Sequence, residues 1–137
     1  PMQWSDARNA GFTSGEPWLR VNPNYVQINV ENEEKRPDSV LNYYKKLISL
    51  RRENDVFFDG DYTAISEERE DIFAYRRGNG RSVLTVAANF TGRPVLIPEL
   101  EYHTRGDLLI CNYPTAEVRD QLRPYEARMY LATTQTE

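Results

Sequence analysis

The pattern of apolar and polar positions divides the chain into three parts. Residues 1 to about 36 have no helical or strand period, and their aromatic residues are interleaved with glycine, proline and asparagine. A stretch of this length without regular structure is uncommon inside a compact domain and is typical of a functional loop. Alternation of apolar and polar residues over 26–30 predicts a short extended segment within it. The aromatic residues of the loop are Trp4, Phe12, Trp18 and Tyr25.

The second part, residues 38–54, predicts a single amphipathic helix. Apolar residues recur there at spacings of three and four and form one stripe. Asp38 follows Pro37 and is expected to cap the first turn by accepting a backbone N–H bond. Basic residues crowd the last turns, where cations suit the helix dipole. The apolar stripe consists of Val40, Leu41, Tyr44, Leu47 and Ile48.

From Val56 onward the pattern predicts strands with no helices between them. The sequence Gly78-Asn79-Gly80 separates two of the predicted strands and indicates a hairpin loop. Many short strands at this spacing favour an antiparallel β-sandwich or an open barrel. The predicted strands cover residues 56–58, 62–65, 72–77, 81–90, 94–97, 107–112 and 127–132.

Composition excludes several classes of protein. The net charge of −4 and the pI near 5.1 argue against a nucleic-acid-binding protein. A single cysteine, Cys111, excludes an internal disulfide and a cysteine-based zinc site, and a strand surrounds it, so we expect a small core thiol. The single histidine, His103, cannot build a metal site alone, and no metal or cofactor is expected. No apolar run approaches the roughly 20 residues of a membrane span, so we expect a cytoplasmic protein with no membrane partner.

The acidic residues give no sign of a catalytic pair. Carboxylates that act in glycoside or acid–base chemistry stand at strand ends or in apolar surroundings that shift their pKa values. The acidic residues here fall in the loop or in a charged turn between strands, so we expect them to be solvated, and no catalytic residue is assigned. The two groups are Asp6, Glu16, Glu31, Glu33 and Glu34 in the loop, and Glu67, Glu68, Glu70 and Asp71 in the turn.

The aromatic residues of the loop leave two interpretations open. Exposed tryptophan and tyrosine beside asparagine and glutamine are suited to stacking on sugar rings and bonding their hydroxyl groups. Alternatively, Trp4, Phe12 and Trp18 are anchors that pin a long loop onto its own protein.

The loop motifs resemble the C-terminal portion of α-amylase-family (glycoside hydrolase family 13) α-glucosidases. The subgroup that is most similar includes oligo-1,6-glucosidases, dextran glucosidases and trehalose-6-phosphate hydrolases. The likeness spans nearly the whole chain, and its opening string is the most specific part. The motifs are Pro1-Met2-Gln3-Trp4, Asn9-Ala10-Gly11-Phe12-Thr13, Gly15-Glu16-Pro17-Trp18, Val21-Asn22-Pro23-Asn24-Tyr25, Val86-Ala87-Ala88-Asn89-Phe90 and Leu122-Arg123-Pro124-Tyr125-Glu126-Ala127.

This resemblance implies a parent enzyme with a (β/α)₈ barrel and a C-terminal antiparallel β-domain. Residues 1–55 would be the loop after the last barrel strand and the last barrel helix, and residues 56–137 the β-domain. The catalytic carboxylates of the family lie upstream, so the chain alone is expected to be inactive and to stabilise the barrel. Gln3 and Trp4 would contribute to the rim of the sugar site, which in such barrels is built from loops.

Two other functions stay open at this point. One is an autonomous carbohydrate-binding β-module that uses the exposed aromatic residues. The other is a scaffold piece with no ligand contact. Without its barrel, the apolar helix stripe must fold back on the β-domain, self-associate or stay mobile. We expect the first thirty residues to be either loosely packed or held by a neighbouring chain. The motifs do not separate isomalto-oligosaccharide, dextran and trehalose 6-phosphate as substrates of the parent.

Overall fold

Five antiparallel strands form the main sheet of the structure, a computed structural model that describes residues 1–103, 106–115 and 118–133. The sheet has the strand order β1-β2-β3-β7-β5, and a second sheet pairs β4 with β6. All pairings are antiparallel. The strands are β1 (Asp61–Ala64), β2 (Ile72–Gly78), β3 (Ser82–Asn89), β4 (Val95–Leu96), β5 (Asp107–Cys111), β6 (Gln121–Leu122) and β7 (Ala127–Thr133).

The chain divides into two compact units, Pro1–Ser49 and Leu50–Glu137. All seven strands belong to the second unit. The antiparallel sheet predicted from the apolar runs is therefore confirmed.

The hairpin of β2 and β3 lies at the centre of the main sheet. Seven residue pairs join the two strands, from Ile72 opposite Asn89 to Gly78 opposite Val83. The side chain of Asn79 accepts bonds from the backbone N–H groups of Arg81 (3.1 Å) and Ser82 (2.9 Å), which closes the loop between them. The predicted hairpin is confirmed, and the sheet places β3 between β2 and β7 as a central strand.

A cluster of buried apolar side chains in the second unit lies on one face of the main sheet. Side chains from β2 and β3 pack there against residues of β4, β6 and a short helix between β4 and β5. Strand residues alternate between the two faces, so Ile72 and Ala74 are buried while Phe73 between them is 48% exposed. The core residues are Ile72, Ala74, Ala87, Val95, Ile97, Leu100 and Leu122.

Two segments predicted as strand or connection are helices. Residues 56–58 belong to α3 (Val56–Asp59) and not to a strand. The carbonyl of Asp55 accepts from the N–H groups of Phe58 (2.8 Å) and Asp59 (3.1 Å). Arg77 then donates to the carbonyl of Phe57 (3.0 Å), which satisfies an acceptor near the helix end. This partner, 20 residues away, overrides the strand propensity of the local sequence.

A helix also interrupts the strand region, which we expected to contain none. It begins at Pro98, whose fixed φ and missing N–H suit a first helical position, and runs over Pro98–His103. The short strand β6 was not predicted either. It has only two residues, too few for an alternating pattern, and it is recognised as a strand by its pairing with β4.

The first unit contains two 3₁₀ helices and a short α-helix, with no strand among its residues, so the extended segment predicted over 26–30 is wrong. The 3₁₀ segments are Arg8–Gly11, in which Asn9 and Ala10 have non-helical backbone angles, and Pro23–Val26, and α1 covers Val30–Lys35. Asn29 accepts from the N–H of Asn32 (2.9 Å), and this N-cap decides the helix over a strand. These residues belong to a compact unit, in which Ala10 and Asn29 are the buried ones among the first thirty. That they are loosely packed or held by a neighbouring chain stays a prediction.

The amphipathic helix predicted over 38–54 is confirmed as α2, which covers Val40–Glu53. Its cap differs from the prediction, because Ser39 and not Asp38 accepts the N–H of Asn42 (3.2 Å). Ser39 is buried and its hydroxyl also donates to the carbonyl of Glu33 (2.7 Å), so one residue links the end of α1 to the start of α2. The apolar stripe is largely open, with Val40 76% exposed.

Two glycines with positive φ give a test of the sheet geometry. A Cβ on Gly106 (φ +142°) would lie 2.3 Å from the carbonyl oxygen of Leu131, while a Cβ on Gly80 (φ +79°) would meet nothing within 4 Å. We expect Gly106→Ala to lower the free energy of unfolding by about 3 kcal/mol or more, because a backbone clash cannot relax. Gly80→Ala, the matched control, should cost about 1 kcal/mol for its left-handed φ alone. Urea unfolding followed by circular dichroism measures both, and equal costs would contradict the close approach at Gly106.

Candidate functional site

Gln3 holds two turns of the first unit together. Its side-chain amide donates to Oδ1 of Asn24 (2.9 Å) and to the carbonyl of Ile28 (2.5 Å). Its own backbone carbonyl accepts from the N–H of Val30 (3.0 Å) at the start of α1. Both donated bonds of the Gln3 amide go to its own unit, which gives this side chain a structural role.

Trp4 has a fixed backbone and an open side chain. Its N–H donates to the carbonyl of Ala10 (2.9 Å), and its carbonyl accepts from the N–H of Glu31 (3.0 Å). The residue is nevertheless 51% exposed. Trp4 therefore presents an aromatic surface from a backbone that is bonded on both sides, the arrangement that a ligand-stacking residue needs.

The other loop aromatics are also exposed. Trp18 is 87% exposed and Phe12 is 43% exposed. An 87% exposed tryptophan is no anchor within the chain described here. The structure thus leaves these side chains free for a ligand or for a further part of a protein.

An open apolar cleft of about 490 Å³ lies in the first unit beside Gln3. One wall comes from the chain start and the other from α1 and α2. Glu33 is the one charged residue in its lining. A cleft of this kind suits an apolar partner surface more than a sugar, because sugar sites need several polar groups. Its lining residues are Pro1, Met2, Gln3, Ile28, Asn29, Val30, Glu33, Val40, Leu41 and Tyr44.

Glu126 is a fully buried carboxylate in the second unit, although no sequence pattern indicates its burial. Arg128 in β7 donates to both of its oxygens, at 2.7 Å from Nε and 2.9 Å from Nη2. Arg123 adds its backbone N–H (2.7 Å) and its Nη2 (2.8 Å). The thiol of Cys111 in β5 donates to the same carboxylate (3.3 Å).

These partners fix the charge state of the cluster. Burial alone raises the pKa of Glu126, but hydrogen bonds from Arg123 and Arg128 outweigh it and lower the pKa to about 2. The bonds to Glu126 also raise the pKa of Arg128, although burial opposes this. A carboxylate with a pKa this low holds no proton to donate, and its oxygens are enclosed. Glu126 therefore serves structure and has no place in acid–base chemistry.

Cys111 lies in β5, as predicted, but is half-buried and not a full core residue. Burial raises the pKa of its thiol, and Glu126 adds to this effect. A thiol that stays protonated is a poor nucleophile.

The predicted solvated carboxylates are partly confirmed. Glu67, Glu68 and Glu70 are exposed. Asp71 is only partly exposed and pairs with Arg69 at 3.0 Å and 3.1 Å. The hydrogen bonds from Arg69 lower the pKa of Asp71.

Over the part of the chain that the structure describes, no group of three or more histidine, cysteine, aspartate or glutamate side chains could hold a metal ion. None of the described helices has the length and apolar character to cross a membrane. The side chain of His103 lies outside the described residues.

Comparison with known proteins bears on both units. The profile of the family described as the alpha amylase catalytic domain matches residues 1–60. Oligo-1,6-glucosidase of Parageobacillus thermoglucosidasius is 45% identical over 136 residues, which is 95% of this chain and 24% of that protein. An alpha-glucosidase of Candida albicans is 37% identical over 96% of this chain and 23% of its own length.

Solved structures of related enzymes also superpose on this chain. Trehalose-6-phosphate hydrolase of Bacillus licheniformis superposes with a TM-score of 0.85 at 35% identity, over 98% of this chain and 25% of that one. Isomaltulose synthase of Klebsiella sp. LX3 gives 0.84 at 38% identity, over 96% of this chain and 25% of that one. These matches confirm the resemblance of the motifs. The chain is similar over nearly its whole length to members of the α-amylase family, glycoside hydrolase family 13.

Within that family the chain is similar to oligo-1,6-glucosidases, several of which share 41–45% of its residues. It spans about a quarter of the length of the curated relatives it matches.

Glu126 gives a pH-dependent test of the buried cluster. The folded pKa lies below the ordinary 4.5, so the unfolded chain binds more protons as pH falls, and folding loses this stabilisation between about pH 4.5 and about pH 2. Glu126→Gln should remove this dependence and lower the free energy of unfolding by about 3 kcal/mol or more, since Arg128 stays buried and unpaired. Urea midpoints across this pH range measure both effects.

The exposed Glu101→Gln is the matched control and should change stability by less than about 0.5 kcal/mol. A Glu126→Gln variant that is as stable as this control would contradict the structural role of the cluster.

Proposed function

We propose that this chain is the C-terminal part of an α-glucosidase that hydrolyses α-glucosidic bonds in short oligosaccharides. The observation that carries the proposal is the match of the motif-bearing residues 1–60 to the alpha-amylase catalytic domain. Relatives named oligo-1,6-glucosidase support the substrate class, and they extend over about four times the length of this chain.

The catalytic carboxylates of that enzyme lie outside these 137 residues. Retaining hydrolysis needs two carboxyl groups about 5 Å apart, one of which keeps a raised pKa as the acid. Among the described residues, the one carboxylate with a strongly shifted pKa is Glu126, and its shift is downward. The chain by itself is therefore inactive, and in the parent enzyme it stabilises the barrel and contributes Trp4 to the rim of the sugar site.

Residues 1–55 in this proposal are the loop after the last barrel strand together with the last barrel helix, and residues 56–137 are the C-terminal β-domain. The division into compact units falls between Ser49 and Leu50. The helix α2 spans that point, as a helix that links a barrel to a following domain would. A core shared by the main sheet and the β4–β6 pair supports a β-sandwich for the second part.

The partner of the first unit is the rest of the barrel. The apolar cleft beside Gln3 and the exposed apolar stripe of α2 form one apolar surface. Exposed apolar patches of this kind mark interaction surfaces. Val40 and Tyr44 belong to both features, at 76% and 63% exposure. Copies of the isolated chain would associate through the same surface.

Trp4 is the main substrate contact of this chain in the parent, and Gln3 supports it. Trp4 has an exposed ring, whereas the amide of Gln3 is bonded to Asn24 and Ile28. Loss of the stacking ring of Trp4 would weaken transition-state binding. Loss of the Gln3 hydrogen bonds between the two turns would lower the stability of the fold.

The test compares variants of the full-length protein with the chain alone. We expect the chain alone to release no glucose from isomaltose or maltose. In the full-length protein, Trp4→Ala should lower kcat/KM about tenfold or more, a loss of about 1.4 kcal/mol of transition-state binding. Gln3→Ala should act mainly on the thermal midpoint. Glucose release and scanning calorimetry measure the two effects.

Hydrolysis by the chain alone would contradict the proposal. So would unchanged kcat/KM in Trp4→Ala and Gln3→Ala variants whose stability falls, since both residues would then be purely structural.

An autonomous carbohydrate-binding module is a second candidate, favoured by a row of rings on the exposed sheet face. The centroids of Tyr62 and Tyr75 lie 5.4 Å apart, as do those of Phe73 and Tyr75. Tyr62 is 56% exposed.

Titration calorimetry of the isolated chain with maltose, isomaltose and starch separates the two candidates. The α-glucosidase proposal predicts no heat of binding to the chain alone. Binding at a Kd of about 1 mM or tighter, equal to roughly 4 kcal/mol, and its loss in Tyr62→Ala would favour the module instead.

A further inference from the structure

Three consecutive residues of the loop adopt the left-handed conformation. Asn9, Ala10 and Gly11 have φ values of 56°, 58° and 66°. Glycine adopts this region freely and asparagine tolerates it, but for alanine it costs about 1–2 kcal/mol. Such strain persists only where the surrounding structure requires it, and it concentrates at functional sites.

The turn directs one buried carbonyl at the backbone of Trp4. Ala10 is fully buried, and its carbonyl accepts from the N–H groups of Trp4 (2.9 Å) and Ser5 (3.1 Å). A right-handed Ala10 would turn this carbonyl away from both donors. The left-handed turn is therefore what holds the chain at Trp4 from one side, opposite the bond from Glu31 on the other.

Asn9 secures the turn with its side chain. Its amide donates to the carbonyls of Gly15 (2.8 Å) and Thr13 (3.4 Å), which ties the turn to the chain that follows. Gly11 closes it, since a Cβ there would lie 2.7 Å from the hydroxyl oxygen of Ser5. The structure around Trp4 thus accounts for the residue type at each position of the turn.

We propose that the left-handed turn Asn9–Ala10–Gly11 positions Trp4 for contact with the glucoside, with Asn9 as the positioning residue. The inference rests on the proposed function, in which Trp4 touches substrate. An exposed ring contributes to transition-state binding only if its backbone holds it in place, because small misplacements cost much of the rate. Asn9 makes no contact with substrate itself and acts through Trp4.

A double-mutant cycle in the full-length enzyme tests this inference. Asn9→Ala loses both donated bonds and disfavours the left-handed φ, and we expect it to lower kcat/KM about tenfold with the larger share in KM. In the Trp4→Ala background the same change should cause no further loss. Residues that act through one another are non-additive in this way, whereas independent ones add.

Two variants serve as controls. Asn54→Ala removes a side-chain bond of the same 2.8 Å length, to the carbonyl of Leu50 in the other unit. It should lower the thermal midpoint and leave kcat/KM unchanged. Asn9→Gly keeps the left-handed φ but not the two donated bonds, so it should recover only part of kcat/KM. If Asn9→Ala does not fold, Asn9→Asp replaces it, because aspartate accepts this φ but cannot donate the two bonds.

The outcomes separate the two proposals. An unchanged kcat/KM in Trp4→Ala overturns the site itself, and this inference with it. A Trp4→Ala loss with no loss in the Asn9 variant overturns the inference alone. The same holds if Asn9→Ala lowers kcat/KM by an equal factor with and without Trp4, since its effect would then be a general loss of structure.

Discussion

The enclosed charge of Glu126 is the constraint on which the β unit depends. A carboxylate without access to water needs cationic partners and a full set of hydrogen bonds, or folding loses several kcal/mol. Arg123 and Arg128 supply these, and the thiol of Cys111 completes them. Arg128 is a residue of β7, and β7 is hydrogen-bonded to β3 on one side and to β5 on the other. One ion cluster therefore helps to set the relative position of three strands.

Side-chain amides play the corresponding part in the first unit, which has no sheet to satisfy its backbone. Asn42 in α2 donates to the carbonyls of Glu33 (3.0 Å) and Arg36 (2.8 Å) at the end of α1. Asn29 caps the start of α1, and Gln3 joins its two neighbouring turns. These bonds give defined geometry to a segment that has almost no apolar core, which is how an irregular loop can hold an exposed Trp4 in place.

Prediction from sequence succeeded where neighbours along the chain decide the structure. The stripe of α2 and the alternation in β2 and β3 have periods that any partner would preserve. It failed at 56–58, where the side chain of Arg77 stabilises a helical turn, and at residues 98–103, where Pro98 begins a helix. The site shows the same division. The motifs indicated Gln3 and Trp4 as candidate site residues, but no local sequence pattern indicated that Glu126 is buried between two arginines.

The sequence by itself determined the resemblance to the α-amylase family, the amphipathic helix and the antiparallel strands, because motifs and periods are properties of the chain order. Only the tertiary structure decided which side chains are enclosed and which are presented. It assigned Gln3 to bonds within the loop, left Trp4 exposed and placed Ala10 in a left-handed turn. Burial and backbone hydrogen bonding depend on residues far apart in sequence, and no local pattern encodes them.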